Sequence, residues 1–191
     1  RCTCVDLDPA ATNSAMALLA ELSQQEATTE EIALRHGRRV RRLIRAKMDT
    51  AATLAFPADA SYLITGGLRG LGLLVAAWLV EHGARHLVLM GRSSATAEAQ
   101  ETLARLRQAG ATILEVQGDV SRYEDVARVL AQAQESLLPL RGVIHSAGVL
   151  DDGVLLQQSW PRFATVMAPK VAGAWHLHTL TRLQPLDFFI L

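Results

Sequence analysis

The stretch Tyr62-Leu63-Ile64-Thr65-Gly66-Gly67-Leu68-Arg69-Gly70-Leu71-Gly72 constrains the chain more than any other, because an apolar run stops at a set of glycines and a helical pattern begins at once. That order predicts a strand, a tight turn and a helix. Leu71, Leu74, Val75, Trp78 and Leu79 recur at the spacing of one helical face, and Gly83 follows as a C-terminal stop. The glycines therefore fall at a helix N-terminus, where unpaired backbone N–H groups and the positive pole of the helix dipole suit an anion. Without side chains in the way, a pyrophosphate can come close. The spacing T-G-x-x-x-G-x-G differs from G-x-G-x-x-G, and no Gly-Lys-Ser/Thr ending follows, so a nucleoside-triphosphate loop is not indicated. A packing turn with no ligand is the alternative.

Beyond the turn the pattern alternates. Strands are predicted at Tyr62 to Thr65, His86 to Met90, Thr112 to Val116, Val143 to Ser146 and Phe188 to Leu191. Helices are predicted up to His82, from Thr96 to Ala109, from Glu124 to Ser136, and in a further run to about Leu183. Strands joined by helices of this length form a parallel sheet with crossover connections, so the expected fold class is doubly wound, Rossmann-like α/β. Ligands bind such sheets at the carboxyl ends of the strands, where the strand order reverses. Four predicted turns stand there: the glycine turn, Gly91-Arg92-Ser93, Gly118-Asp119-Val120 and Ser146-Ala147-Gly148.

These turns read together as a dinucleotide site. An acidic residue roughly 20 positions beyond the glycines ordinarily holds a free ribose 2′-hydroxyl. Here that place carries Arg92 and Ser93, and a guanidinium suits a phosphate, which favours NADPH over NADH. Arg69 offers a second positive charge. Asp119 is positioned to accept from the adenine amino group while Val120 packs on the ring; a turn or capping role for Asp119 is the alternative.

The first part of the chain is less regular. Arg1 to Pro9 reads as a strand, Met16 to Leu22 as a helix and Glu31 to Leu34 as another strand. Arg35 to Lys47 contains seven lysines and arginines, a solvated edge strand on one reading and a phosphate-binding surface on the other. Met48 to Ala60 is expected to connect two folded pieces, residues 1–56 and 57–191. Lysine plus arginine equal aspartate plus glutamate at 19 each, which argues against a nucleic-acid or acidic-membrane partner. The two cysteines, Cys2 and Cys4, are too close for a good disulfide geometry and no cysteine or histidine cluster suggests a metal, so a reduced, metal-free, cytoplasmic protein is expected.

Thr65 to Gly72, Gly91 to Ser93, Gly118 to Val120, His145 to Gly153 and Pro169 to His178 together resemble the ketoreductase domain of modular polyketide synthases, within the short-chain dehydrogenase/reductase superfamily. The resemblance covers nearly all of the chain from residue 60 onward. Residues 1–47 look like the end of the truncated, non-catalytic Rossmann-like subdomain that precedes the catalytic one in that family. The resemblance implies that NADPH reduces the β-keto group of a polyketide carried as a thioester on an acyl carrier protein, beside neighbouring synthase domains. It also implies that the cofactor is held by Thr65, Gly66, Gly67, Arg69, Gly70, Leu71, Gly72, Arg92, Ser93, Asp119, Val120, Ser146, Ala147, Gly148 and Lys170.

Lys170 is the catalytic lysine on this reading. Its ammonium favours the anion of a proton-donating tyrosine, whose free pKa of about 10 makes it a reluctant partner at neutral pH; a plain surface lysine is the alternative. The family's serine, tyrosine and asparagine partners are not in this sequence: no tyrosine follows Tyr123, no serine follows Ser159, and Asn13 is the only asparagine. They are expected after the Phe188 to Leu191 strand, so this fragment is expected to bind cofactor without reducing a ketone. His176 and His178 are expected to pack or to lie at the surface, without a catalytic role. Leu150-Asp151-Asp152 looks like the mark of B-type domains, whose products carry a D-configured hydroxyl; the aspartates could equally cap a short helix through Leu155 and Leu156. A non-catalytic scaffold module of a megasynthase and a stand-alone short-chain dehydrogenase are the competing functions.

Overall fold

Five parallel strands carry the larger part of the chain: β4 (Ser61–Thr65), β5 (His86–Gly91), β6 (Thr112–Gln117), β7 (Leu140–His145) and β8 (Phe188–Ile190). They lie in the order β6-β5-β4-β7-β8 in the computed structural model, which describes residues 4–23, 31–45 and 55–191. All neighbouring pairs are parallel. The order reverses direction between β4 and β7, which creates the crevice expected of a doubly wound sheet.

The central strand shows why the sheet forms where it does. All five residues of β4 are buried, as a parallel strand covered on both faces requires. Its side chains alternate between two layers: Tyr62 and Ile64 join Leu79, Leu87, Leu89 and Leu103, whereas Leu63 joins Val88, Val126, Val143 and Leu177. The first layer packs under helices α2 (Gly70–Glu81) and α3 (Ala97–Gln108); the second packs under α4 (Tyr123–Ser136) and α6 (Ala174–Thr181). At the amino end of the sheet, Phe56 meets Tyr62, Trp78 and Phe188 edge-on at centroid distances of 5.4 to 5.9 Å. Gly142 on β7 lies under the Phe188 ring, where a Cβ would come within 2.2 Å.

Helix α2 differs from the sequence expectation in its orientation. Its buried residues are Gly72, Leu73, Ala76, Leu79 and Val80, while Leu71 and Leu74 are 69% and 68% exposed. Every position from Leu71 to Val80 is apolar, so hydrophobic spacing alone does not choose a face. Gly72 chooses it, because only a glycine can lie against the Gly66 backbone, as described below.

The expected long helix before Leu183 is also broken. It comprises a 3-10 turn (Leu155–Gln157), α5 (Trp160–Met167), a π-turn (Ala168–Gly173) and α6. Pro169 has no N–H to continue an α-helical ladder, and the backbone takes up a wider turn around it. Strand β7 runs from Leu140 rather than from Val143, and it ends at His145.

Residues 1–51 form a separate unit from residues 52–191. In it, β1 (Cys4–Leu7) and β2 (Glu31–Leu34) pair in parallel and are linked through α1 (Ser14–Leu22), and β3 (Arg38–Val40) pairs antiparallel with β2. The basic run thus yields only a three-residue edge strand, and several of its charges have partners. Arg38 donates from Nε to Glu21 at 2.7 Å, Arg35 pairs with Asp6 and Arg41 with Glu31. Cys4 is exposed and unbridged, whereas Cys2, Lys47 and most of the expected connection lie outside the described residues. Phe56, placed by sequence with the first piece, packs in the second.

Candidate functional site

The chain leaves β4 through a turn in which each glycine answers a different steric demand. Gly66 has φ +72°, and a Cβ there would lie 2.8 Å from the Ser146 carbonyl oxygen, at the crevice where the strand order reverses. Gly72, in the first turn of α2, is the most confined: a Cβ would lie 2.3 Å from the Gly66 carbonyl oxygen. A Cβ on Gly67 would meet the Ile64 carbonyl at 2.9 Å, so this residue serves close packing under the turn. Gly70 has open space around it but φ +53°, which an L-residue adopts at a cost.

Around this turn the carboxyl ends of β4, β5, β6 and β7 form one cleft. Thr65, Gly66, Arg69, Leu71, Gly72, Arg92, Ser93, Asp119, Val120, Ser146, Ala147 and Gly148 all line it. Thr65 is wholly buried at its floor, with its hydroxyl 3.3 Å from the Ala147 N–H. Arg69 and Arg92 bring two positive charges to the lining, and Asp119 brings its carboxylate. Among the described residues neither arginine is in an ion pair. Helix α2 begins at Gly70 with no side chain capping its N-terminus, so its first N–H groups are available to an anionic ligand.

Asp119 takes the turn role that sequence left open. Its Oδ1 accepts from the Ser121 N–H at 2.9 Å and the Ser121 hydroxyl at 2.7 Å, while its own N–H donates to Asp125 Oδ2 at 3.0 Å. The Asp125 carboxyl is held below the usual carboxylate range by that backbone N–H and by Arg128. The turn that presents Asp119 and Val120 to the cleft is thereby fixed from both sides.

Gly67, Gly70, Lys170, Leu150, Asp151 and Asp152 are not on the lining. Lys170 sits exposed on the π-turn, next to Ala168 and Pro169, which do line the cleft. The helical run was the expected place for the lysine; the part its backbone plays in the wall was missed, and Pro169 in mid-helix was the available signal.

Leu150 is 85% exposed. Asp151 is gripped by Arg162, which donates to its Oδ1 through Nε at 2.9 Å and also through its terminal nitrogen. The same guanidinium donates to the Asp151, Asp152 and Gln157 carbonyls. The Arg162 hydrogen bond holds the Asp151 carboxyl below the usual carboxylate range. The capping alternative is not realised, because the 3-10 turn is preceded by Val154 and has no side-chain cap.

The sequence did not single out His145. It sits at the end of β7 with Nδ1 2.6 Å from the Thr65 hydroxyl and Nε2 2.9 Å from the Pro169 carbonyl oxygen. Burial, with a smaller contribution from the Lys170 charge, pushes its pKa down from the ordinary imidazole value. His176 points to the Val120 carbonyl from Nδ1 at 3.2 Å and meets Tyr123 edge-on, so its role is packing, and His178 lies tilted against Trp175.

The residues present fit a phosphate-bearing dinucleotide: the backbone cradle at Gly66 and Gly72 is one that a single Cβ would fill, and two cations face the same cleft. The described residues include no group of histidine, cysteine, aspartate or glutamate suited to hold a metal ion, and no helix long and apolar enough to cross a membrane.

Residues 60–191 match the family model described as the KR domain. The chain is 41% identical over 143 residues to a highly reducing polyketide synthase of Aspergillus terreus, a stretch covering 73% of this chain and 6% of that protein. Its fold matches a solved structure of A-type ketoreductases from a modular polyketide synthase with a TM-score of 0.80 at 33% identity, over 98% of this chain and 40% of that one. A ketoreductase from the first module of phoslactomycin biosynthesis in Streptomyces sp. HK803 gives a TM-score of 0.80 at 31% identity, over 98% of this chain and 43% of that one.

Proposed function

The chain belongs to the ketoreductase domains of polyketide synthases, of the short-chain dehydrogenase/reductase superfamily, and from that premise we propose that it supplies the NADPH-holding part of a β-ketoacyl reductase. The observation that carries the choice of cofactor is Arg92 on the cleft lining, at the end of β5 where a carboxylate would select a plain ribose. In this reading the Gly66 to Gly72 turn and the first N–H groups of α2 receive the pyrophosphate. Arg92 and Ser93 receive the 2′-phosphate, and Asp119 and Val120 the adenine.

When bound, the cofactor supplies a hydride to the β-keto carbon of a polyketide presented as a thioester by an acyl carrier protein. The residues of this chain hold and orient. Ser146, Ala147 and Gly148 line the wall toward the nicotinamide. Lys170 places an ammonium group at that end, where it stabilises a neighbouring hydroxyl in its anionic form and so assists proton delivery to the new alkoxide. The Leu150-Asp151-Asp152 triplet supports a B-type, D-configured product, with the Arg162-held loop steering the side from which the carrier arm enters. The same reading puts the activity in the cytoplasm, with other synthase domains as neighbours and residues 1–56 as the remnant of a structural subdomain.

The test is a titration of the chain with NADPH and with NADH, followed by nicotinamide fluorescence. Arg92→Ala is expected to weaken NADPH roughly 30-fold, the range of a lost charge-assisted hydrogen bond, and to change NADH by no more than about twofold. Equal losses for both nucleotides would remove Arg92 from recognition of the 2′-phosphate.

A further inference from the structure

Three observations converge on His145. Its Nε2 is 2.9 Å from the Pro169 carbonyl oxygen, which only accepts, so Nε2 must carry the proton. Its Nδ1 is 2.6 Å from Thr65 Oγ1, and that oxygen also lies 3.3 Å from the Ala147 N–H. A neutral ring completes this chain without a leftover: Ala147 N–H donates to the Thr65 hydroxyl, the hydroxyl donates to Nδ1, and Nε2–H donates to Pro169. A protonated ring would place a second N–H against the hydroxyl and leave the hydroxyl proton without its acceptor. Finally, Gly173 at the far end of the π-turn packs so closely that a Cβ there would come within 3.4 Å of His145 Cε1 and 2.9 Å of Val120 Cγ1.

The imidazole thus hydrogen-bonds both the floor of the glycine turn and Pro169 near the start of the π-turn that bears Lys170, and it lies beside Gly173 at that segment's other end. A proline in mid-helix interrupts the α-helical ladder and leaves that segment as a wider π-turn, whose path outside contacts help to fix. We propose that His145 is a positioning residue which, as the neutral Nε2–H tautomer, ties the lysine-bearing π-turn to the glycine turn and so sets where the Lys170 ammonium stands relative to the cofactor cleft. Its consequence for catalysis rests on the role given to Lys170 above. The tie itself does not depend on that role.

The experiment uses the 191-residue chain without cofactor. In long-range proton–nitrogen spectra at neutral pH, with His145 assigned through its contact to Gly173, the ring is expected to show a protonated Nε2 and an unprotonated Nδ1. An imidazolium or a protonated Nδ1 would overturn the proposal even if no variant folds. His145→Asn offers an amide near the Nδ1 position and cannot reach Pro169; His145→Gln reaches toward Pro169 and not Thr65. Amide exchange across residues 170–174 is expected to quicken at least about fivefold in His145→Asn, as for loss of a buried hydrogen bond, and to quicken by a smaller factor in His145→Gln, which keeps the Pro169 contact and gives up the Thr65 one. Equal exchange in all three proteins would also overturn it. Because none of these measurements involves NADPH, failure of the chain to bind cofactor would count against the proposed function and not against this tie.

Discussion

The glycine turn and the loop from Leu150 to Gly153 follow the carboxyl ends of two neighbouring strands, β4 and β7, yet they are held in different ways. The turn is fixed by backbone against backbone: at Gly66 and Gly72 the space for a side chain is already taken by carbonyl groups. The loop is fixed by one guanidinium, that of Arg162, which gathers the Asp151 carboxylate and three backbone carbonyls and covers Gly153, where an added Cβ would lie 2.9 Å from Nη1. Backbone packed on backbone leaves no slack. A loop gathered by one side chain can shift with that side chain.

The sharpest way to break this contrast is Gly72→Ala, which forces a Cβ into the Gly66 carbonyl. Stability to urea is expected to fall by about 3 kcal/mol and nucleotide binding to disappear, because neither backbone can yield without opening the turn. Wild-type melting with intact binding would mean the turn is not held by close approach at all.

Gly70→Ala sharpens the same half of the comparison. Here the space is open and only φ is unfavourable, so a loss of about 1 kcal/mol is expected, with nucleotide binding retained at reduced affinity. Losses of equal size at positions 70 and 72 would show that conformation, and not contact, governs the turn.

The smallest global effect belongs to the loop. Arg162→Ala should leave the melting temperature unchanged and speed amide exchange and proteolysis between residues 150 and 157. Acid should do the same to the wild type. The Asp151 carboxyl titrates below its usual value because Arg162 holds it, so the pair's contribution is present above the ordinary carboxylate pKa of about 4 and is lost as pH falls through the depressed value. Loop protection that vanished already at pH 6 would point to a different tether.

What was legible in the sequence follows the same division. Strands β2, β4, β5 and β6 stood out because apolar, β-branched residues were bounded by glycine, proline or polar turns, and the glycine turn stood out because only glycine meets its demands. The alternation of strands and helices placed Arg92, Asp119 and Ser146 at the strand ends. The face of α2 was misread because ten consecutive apolar residues carry no periodic signal, and the deciding contact, Gly72 on Gly66, is a tertiary one. Arg162 and His145 were passed over for a related reason. Their partners lie 5 to 80 residues away, and nothing in local spacing marks an arginine as a clamp or a histidine as a tie.

The π-turn around Pro169 has a consequence for how this helix tolerates change. A wider turn advances each residue by less than the roughly 100° of an α-helix, so side chains before and after it read on faces offset from those of an uninterrupted helix. Removing one residue between Pro169 and Gly173 would change that offset and swing α6 around the axis relative to Lys170. Length within those six positions is therefore under tighter constraint than the chemical character of the exposed side chains they carry.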